Sequence, residues 1–119
     1  MPVNFNEAHQ LHQEWKQNLL LSEKEVKSMN EELLILVKDA QSEDQKKEVE
    51  HLQNSLIRQK EVINEKLAEV VKADKVMSEN SAKESEVEIW HQKMKEDMEW
   101  FNRLFNELRV EFQKFKNSL

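Results

Sequence analysis

The chain has no glycine and no cysteine, and its only proline is Pro2. Without cysteine there are no disulfides, no thiolate nucleophile and no cysteine-based zinc site. Glycine and proline are the residues that helix interiors disfavour, while turns and sheets usually need at least glycine. Their absence from residues 3–119 therefore points to long, uninterrupted helices. A glycine-rich phosphate loop is excluded on the same ground. Long apolar runs are missing too. The longest, Leu19–Leu21 and Leu33–Val37, are far too short to span a bilayer. The start, Met1-Pro2-Val3-Asn4-Phe5-Asn6, lacks the charged and apolar regions of a secretory signal, and the expected setting is the cytoplasm.

A basic patch is also lacking. The formal net charge is −6. Residues 1–40 carry 4 basic and 7 acidic groups, residues 41–92 carry 8 and 12, and residues 93–119 carry 6 and 5. Acidic balance with interspersed signs argues against nucleic acid and anionic membranes as partners, and suits solvated helix faces.

What remains is a helix-forming composition, 38% hydrophobic and 35% charged, in 119 residues that fit one domain. The spacing predicts three helices, over about 5–40, 43–77 and 86–116. In the first, steps of three and four trace His12, Leu19, Val26, Leu33, Ala40 and Ala8, Trp15, Ser22, Met29, Leu36. In the second the strong line is Val49, Leu56, Ile63, Val70, Met77. In the third, six of the eight aromatic residues lie between Trp90 and Phe115, with Val87, Met94, Met98, Leu104 and Leu108 expected on the same broad face. Capping boxes are expected at Asn4 with Glu7, at Ser42 with Gln45, and at Ser85 with Glu88 or Ser81 with Glu84.

Similar lengths and short connections predict an all-α, elongated, antiparallel up-down-up three-helix bundle with coiled-coil-like packing. A two-helix hairpin with the third helix swapped into a dimer is the rival. Such a chain buries stripes and is not expected to wrap a deep pocket. Folding it at about residues 42 and 80 sets the depths. Residue 12 then lies beside about residues 72 and 88, His51 is level with Arg109, and Lys66 comes near Asp97 as an interhelical bridge.

Glu48-x-x-His51 and Glu88-x-x-His91 have the i, i+3 spacing used by carboxylate-bridged metal bundles. In this register His51 and His91 are about 27 Å apart along the axis, too far to share an ion. The candidate metal site is instead His9, His12, Glu88 and His91 at one end, suited to zinc or another divalent ion. The bland alternative is that Glu88 caps the helix while the imidazoles pack beside Trp15 and Trp90. Leu20, Leu21, Leu34 and Ile35 fall off the seam, as does Trp100. These five are the candidate contacts for a protein partner or a second protomer. With no nucleophile–base arrangement at a strained turn, no enzyme activity and no resident cofactor are expected.

The words His9-x-x-His12-x-x-Trp15, Glu50-His51-Leu52-Gln53-Asn54 with Ile57 and Gln59, and Phe105-x-x-Leu108-x-x-Glu111-Phe112-x-x-Phe115 span most of the chain. In these the chain resembles small, uncharacterised helical proteins of Bacteroidetes bacteria. That resemblance implies a bacterial helical bundle and no particular activity. A looser, architectural likeness is to spectrin-type repeats, which are also three long helices with tryptophan in the core.

Overall fold

The computed structural model describes residues 5–78 and 84–119. It is a three-helix bundle: α1 Phe5–Leu36, a 3₁₀ turn Val37–Asp39, α2 Glu43–Ser78 and α3 Glu84–Ser118. The helices hold 32, 36 and 35 residues. At 1.5 Å per residue the longest spans about 54 Å, which accounts for extents of 57 × 20 × 17 Å. α3 packs back on α1 and α2 of its own chain, so the swapped arrangement is not needed to cover it. No helix among the described residues is long and apolar enough to cross a membrane.

The first turn between helices forms where the seam pattern breaks. α1 tightens into the 3₁₀ turn, and Ala40, in an extended conformation, donates its N–H to Val37 O at 3.2 Å. Ser42 and Gln45 then make the expected capping box. The Gln45 N–H donates to Ser42 Oγ at 3.1 Å, and the Ser42 N–H donates to Gln45 Oε1 at 3.2 Å. Glu43 and Asp44 follow in the first turn, where the helix dipole favours negative charge. The caps expected at Asn4, at Ser81 with Glu84, and at Ser85 with Glu88 rest on side chains outside the described residues.

One core runs the length of the bundle, from Trp15 and Met94 at one end to Leu33, Val49 and Phe115 at the other. Its members recur at the expected spacing: Leu19, Val26, Leu33 on α1; Val49, Leu56, Ile63, Val70 on α2; Met94, Phe101, Leu108, Phe115 on α3. The polar seam residues divide. Ser22 is buried. Gln59 has Oε1 buried without a hydrogen-bond partner among the described residues. Lys66 donates to Asp97 Oδ2 at 3.0 Å, the predicted bridge between α2 and α3. Glu111, beside the buried Phe112 on α3, is about half exposed and pairs with His51 of α2.

Hydrogen bonds and ion pairs between side chains reveal which side of α3 meets which helix. Asn102, Arg109 and Lys116, seven residues apart, bond Asn18, Glu25 and Glu32 of α1. Asp97 and Glu111, fourteen apart, bond Lys66 and His51 of α2. Exposed pairs of this kind contribute about 1 kcal/mol or less each, so they set register more than stability.

Candidate functional site

The start of α1, the end of α2 and the start of α3 meet at one end of the bundle, and there a chain of titratable groups crosses all three helices. His9 and His12 lie one turn apart on α1. Each donates from Nδ1 to the same oxygen, Asp74 Oδ1 of α2, at 2.9 Å. On the far side of its ring, His12 Nε2 lies 3.0 Å from His91 Nε2 of α3, so these two nitrogens share one proton. His12 is 0% exposed and His91 is buried beside it.

Tryptophans complete the cage. Trp90 meets His12 edge-on at 5.5 Å between ring centroids and Trp15 at 6.1 Å. His12 and His91 stack at 4.7 Å, and Trp15 tilts against His91 at 5.7 Å. These surroundings set the charge states. For His91, burial among rings pushes the pKa from 6.5 to about 4, and the neighbouring His12 acts in the same direction. For Asp74, burial pushes the pKa up, but hydrogen bonds from His12 and His9 and their charge outweigh it and hold the carboxyl below its ordinary value.

Sequence depth brings His12 and His91 together beside Trp15 and Trp90, and the more exposed His9 joins them through Asp74. The carboxylate is different: Asp74 occupies the place expected of Glu88, and Glu88 takes part in none of these contacts. The reason is reach. Glu88 shares a helix with His91, whereas Asp74 projects from α2 onto α1, in the gap that His9 and His12 face. The geometry also redirects the chemistry. Asp74 and His91 approach opposite nitrogens of His12, so His9, His12 and His91 do not converge on a single ion. The arrangement holds and shares a proton instead. Each satisfied hydrogen bond adds only about 1 kcal/mol net, while a buried donor left unpaired costs about 1–3 kcal/mol. The network therefore penalises slipped registers strongly while adding little absolute stability.

Beside the cage, an open cavity of about 430 Å³ separates α2 from α3. Val76, Met77, Val87, Trp90 and Met94 are among its apolar lining, with Lys72, Lys93 and Asp97 among its charged groups. The sequence argued against a pocket. One forms because Ala73 offers only a methyl where the same α2 line elsewhere carries Leu52, Gln59 and Lys66. Trp90 is the wall common to cavity and cage.

At the opposite end lies a cluster that sequence reasoning passed over. His51 Nε2 is 3.0 Å from Glu111 Oε2, and Glu48, His51 and Glu111 offer ligand atoms all within 4.8 Å of one another. Two signals for it were present: the Glu48-x-x-His51 spacing, and the depth that puts His51 level with Arg109, half a turn from Glu111.

The five candidate partner contacts are all exposed: Leu20 41%, Leu21 59%, Leu34 67%, Ile35 66% and Trp100 59%. The first four share the outer side of α1. Trp100 follows Asp97 by three residues and so stands on the α2 side of α3, with the Arg103 guanidinium 5.1 Å above its ring. Comparison of the chain with protein-family models, with curated proteins and with solved structures finds no match.

Proposed function

We propose that the protein is a non-enzymatic interaction module of the bacterial cytoplasm, a coiled-coil-like bundle that needs no cofactor and presents the outer face of α1 to a protein partner. One observation carries this. Leu20, Leu21, Leu34 and Ile35 are exposed on a helix whose opposite face, from Ala8 to Leu33, is fully packed. Covering a large aliphatic side chain is worth about 1.5–3 kcal/mol, and grouped exposed aliphatics mark interaction surfaces far more often than scattered ones. Among the described residues, exposed apolar neighbours occur in adjacent pairs only on α1. Trp100 is a secondary contact.

The double variant Leu34→Asp, Ile35→Asp is expected to keep its helical signal, because both side chains are largely exposed and outside the packed core, while its melting temperature falls only by what association through this face contributes. It should lose the complexes that the wild-type protein forms in extracts of its native cell, followed by size and co-purification. A folded variant that retains every complex would refute the assignment.

A second reading, a small divalent-metal-binding bundle, is favoured by the Glu48–His51–Glu111 geometry rather than by the His9, His12, Glu88, His91 set. An imidazole and two carboxylates suit zinc with water as a fourth ligand. Among the described residues neither carboxylate is paired with Lys or Arg, whereas Glu25, Glu32 and Asp97 all are. Zinc is expected to raise the melting temperature by several degrees, reversibly with chelator, and His51→Ala or Glu111→Gln to abolish the effect while His91→Gln leaves it intact. No shift in the wild type, or an undiminished shift in His51→Ala, rules this reading out.

A further inference from the structure

We infer that the partner seated on the outer face of α1 is a second copy of this chain, laid antiparallel about a two-fold axis passing beside Lys27 and Ser28. This rests on reading that face as an interaction surface, and adds the occupant and its direction.

The face has its own helical period, set apart from the core. Leu20 and Leu34 lie fourteen residues apart, as do Leu21 and Ile35, so each pair occupies equivalent places two heptads from the other. Between them the exposed residues are Glu23, Lys24, Lys27, Ser28 and Glu31; Glu23 points to the flank, about 100° round the helix from Lys24, and the other four lie on the face itself. The midpoint of Leu20–Leu21 and Leu34–Ile35 falls between residues 27 and 28, which makes the apolar pattern its own mirror about that point. A two-fold axis there brings the Leu20–Leu21 pair of one copy onto the Leu34–Ile35 pair of the other, and does so twice. That is the self-complementarity an isologous dimer requires.

Charge then chooses the direction. Lys24 and Glu31 are equidistant from the midpoint and lie on the centre line of the face, one turn inside each apolar pair. In the antiparallel dimer Lys24 of each copy meets Glu31 of the other. In a parallel dimer Lys24 would meet Lys24, and Glu31 would meet Glu31, at the middle of the seam. Like charges directly opposed are unfavourable there, so the parallel arrangement is penalised twice and the antiparallel one supported twice. Lys24 and Glu31 form no ion pair with another described residue of their own chain, which leaves both available. Lys27 meets its own copy at one edge of the seam, where its long stem can turn to solvent and Glu31 lies one turn along the same helix. At the other edge Ser28 meets Ser28.

The absence of native cysteine allows a direct test on the purified full chain. Sedimentation velocity is expected to show a concentration-dependent dimer. Under mild oxidation the single variant Ser28→Cys should form a disulfide-linked dimer, because the two copies of residue 28 flank the axis. Gln17→Cys should not, since its two copies would lie about 32 Å apart along the axis. Lys24→Glu is expected to weaken association about tenfold, and Lys24→Glu with Glu31→Lys to restore it, because the exchange re-forms both opposite-charge pairs across the seam. Cross-linking of both cysteine variants would mean a parallel dimer and overturn the antiparallel register. A dimer that cross-links at neither site uses another face and overturns the inference. A strict monomer also overturns it, while the interaction reading is then decided separately by the extract experiment with Leu34→Asp, Ile35→Asp.

Discussion

Replacing Phe105 by alanine is expected to lower the unfolding free energy by about 3–5 kcal/mol, a large part of the roughly 5–15 kcal/mol typical of a single domain. Phe105 is the largest of the fully buried side chains. It lies in the middle third of α3, where its ring tilts against Phe101 at 5.7 Å and carries the Arg109 guanidinium 4.7 Å above its face. The same Arg109 is held by Glu25 of α1. Truncation therefore removes a ring that three long helices close upon, and helices this regular have little freedom to collapse into the space left. The neighbouring Leu104 is 45% exposed, so Leu104→Ala should cost no more than about 1 kcal/mol. Urea unfolding of both variants measures the contrast. The midpoint should fall far more for Phe105→Ala, with the dependence on denaturant unchanged. Equal losses in the two variants would mean that the Phe105 side chain is not in the core.

Acidification from pH 6.5 to pH 4 is expected to remove about 3 kcal/mol of stability through His91 alone. In the unfolded chain this imidazole protonates near its ordinary value of 6.5; in the folded chain burial pushes protonation down to about 4. Between those values the unfolded state binds more protons, so stability falls as pH falls, by about 1.4 kcal/mol per pH unit. Above pH 6.5 the contribution is constant. Asp74 acts in the same direction but in a lower window. Its folded pKa is depressed, so its contribution is present above the ordinary value of 3.8 and is lost as pH drops through the lowered one. His91→Gln removes the titrating ring while leaving a polar group beside His12 Nε2. Chemical denaturation at a series of pH values should give the wild type a steeper decline than His91→Gln between pH 6.5 and 4, and parallel curves above. Parallel curves throughout would show that His91 is not buried neutral. Loosening at low pH would begin at the Trp90 end, because the buried imidazoles are there, whereas the described residues buried around Phe105, Leu108 and Phe112 are aliphatic and phenyl and the titratable pairs at that end are exposed.

Much of this architecture could be read from residue order. The periods of three and four identified Leu19, Val26, Leu33, Leu56, Ile63, Phe101 and Phe105 as core, because a regular helix turns each of them to one side. Ser42 and Gln45 announced the start of α2, since a capping box is a contact between neighbours in sequence. Axial depth was legible as well. A rise of 1.5 Å per residue, with turns near residues 42 and 80, brought Lys66 to Asp97 and His12 to the level of Asp74.

Rotation of each helix about its own axis was not legible, and on it the finer outcomes depended. Depth alone allowed both Asp74 and Glu88 near His12; the facing of α2 toward α1 selected Asp74, and with it a proton-sharing chain in place of a convergent metal site. Rotation also turned His51 of α2 and Glu111 of α3 toward the same groove, and left a gap opposite Ala73 that no described residue fills. The sequence by itself determined three helices, their seams, their lengths and the absence of cysteine or glycine chemistry, because those follow from local spacing and composition. Tertiary structure decided which polar groups meet, whether Leu20, Leu21, Leu34 and Ile35 would be covered, and where a cavity opens, because these depend on how three cylinders rotate to bury the most apolar surface together.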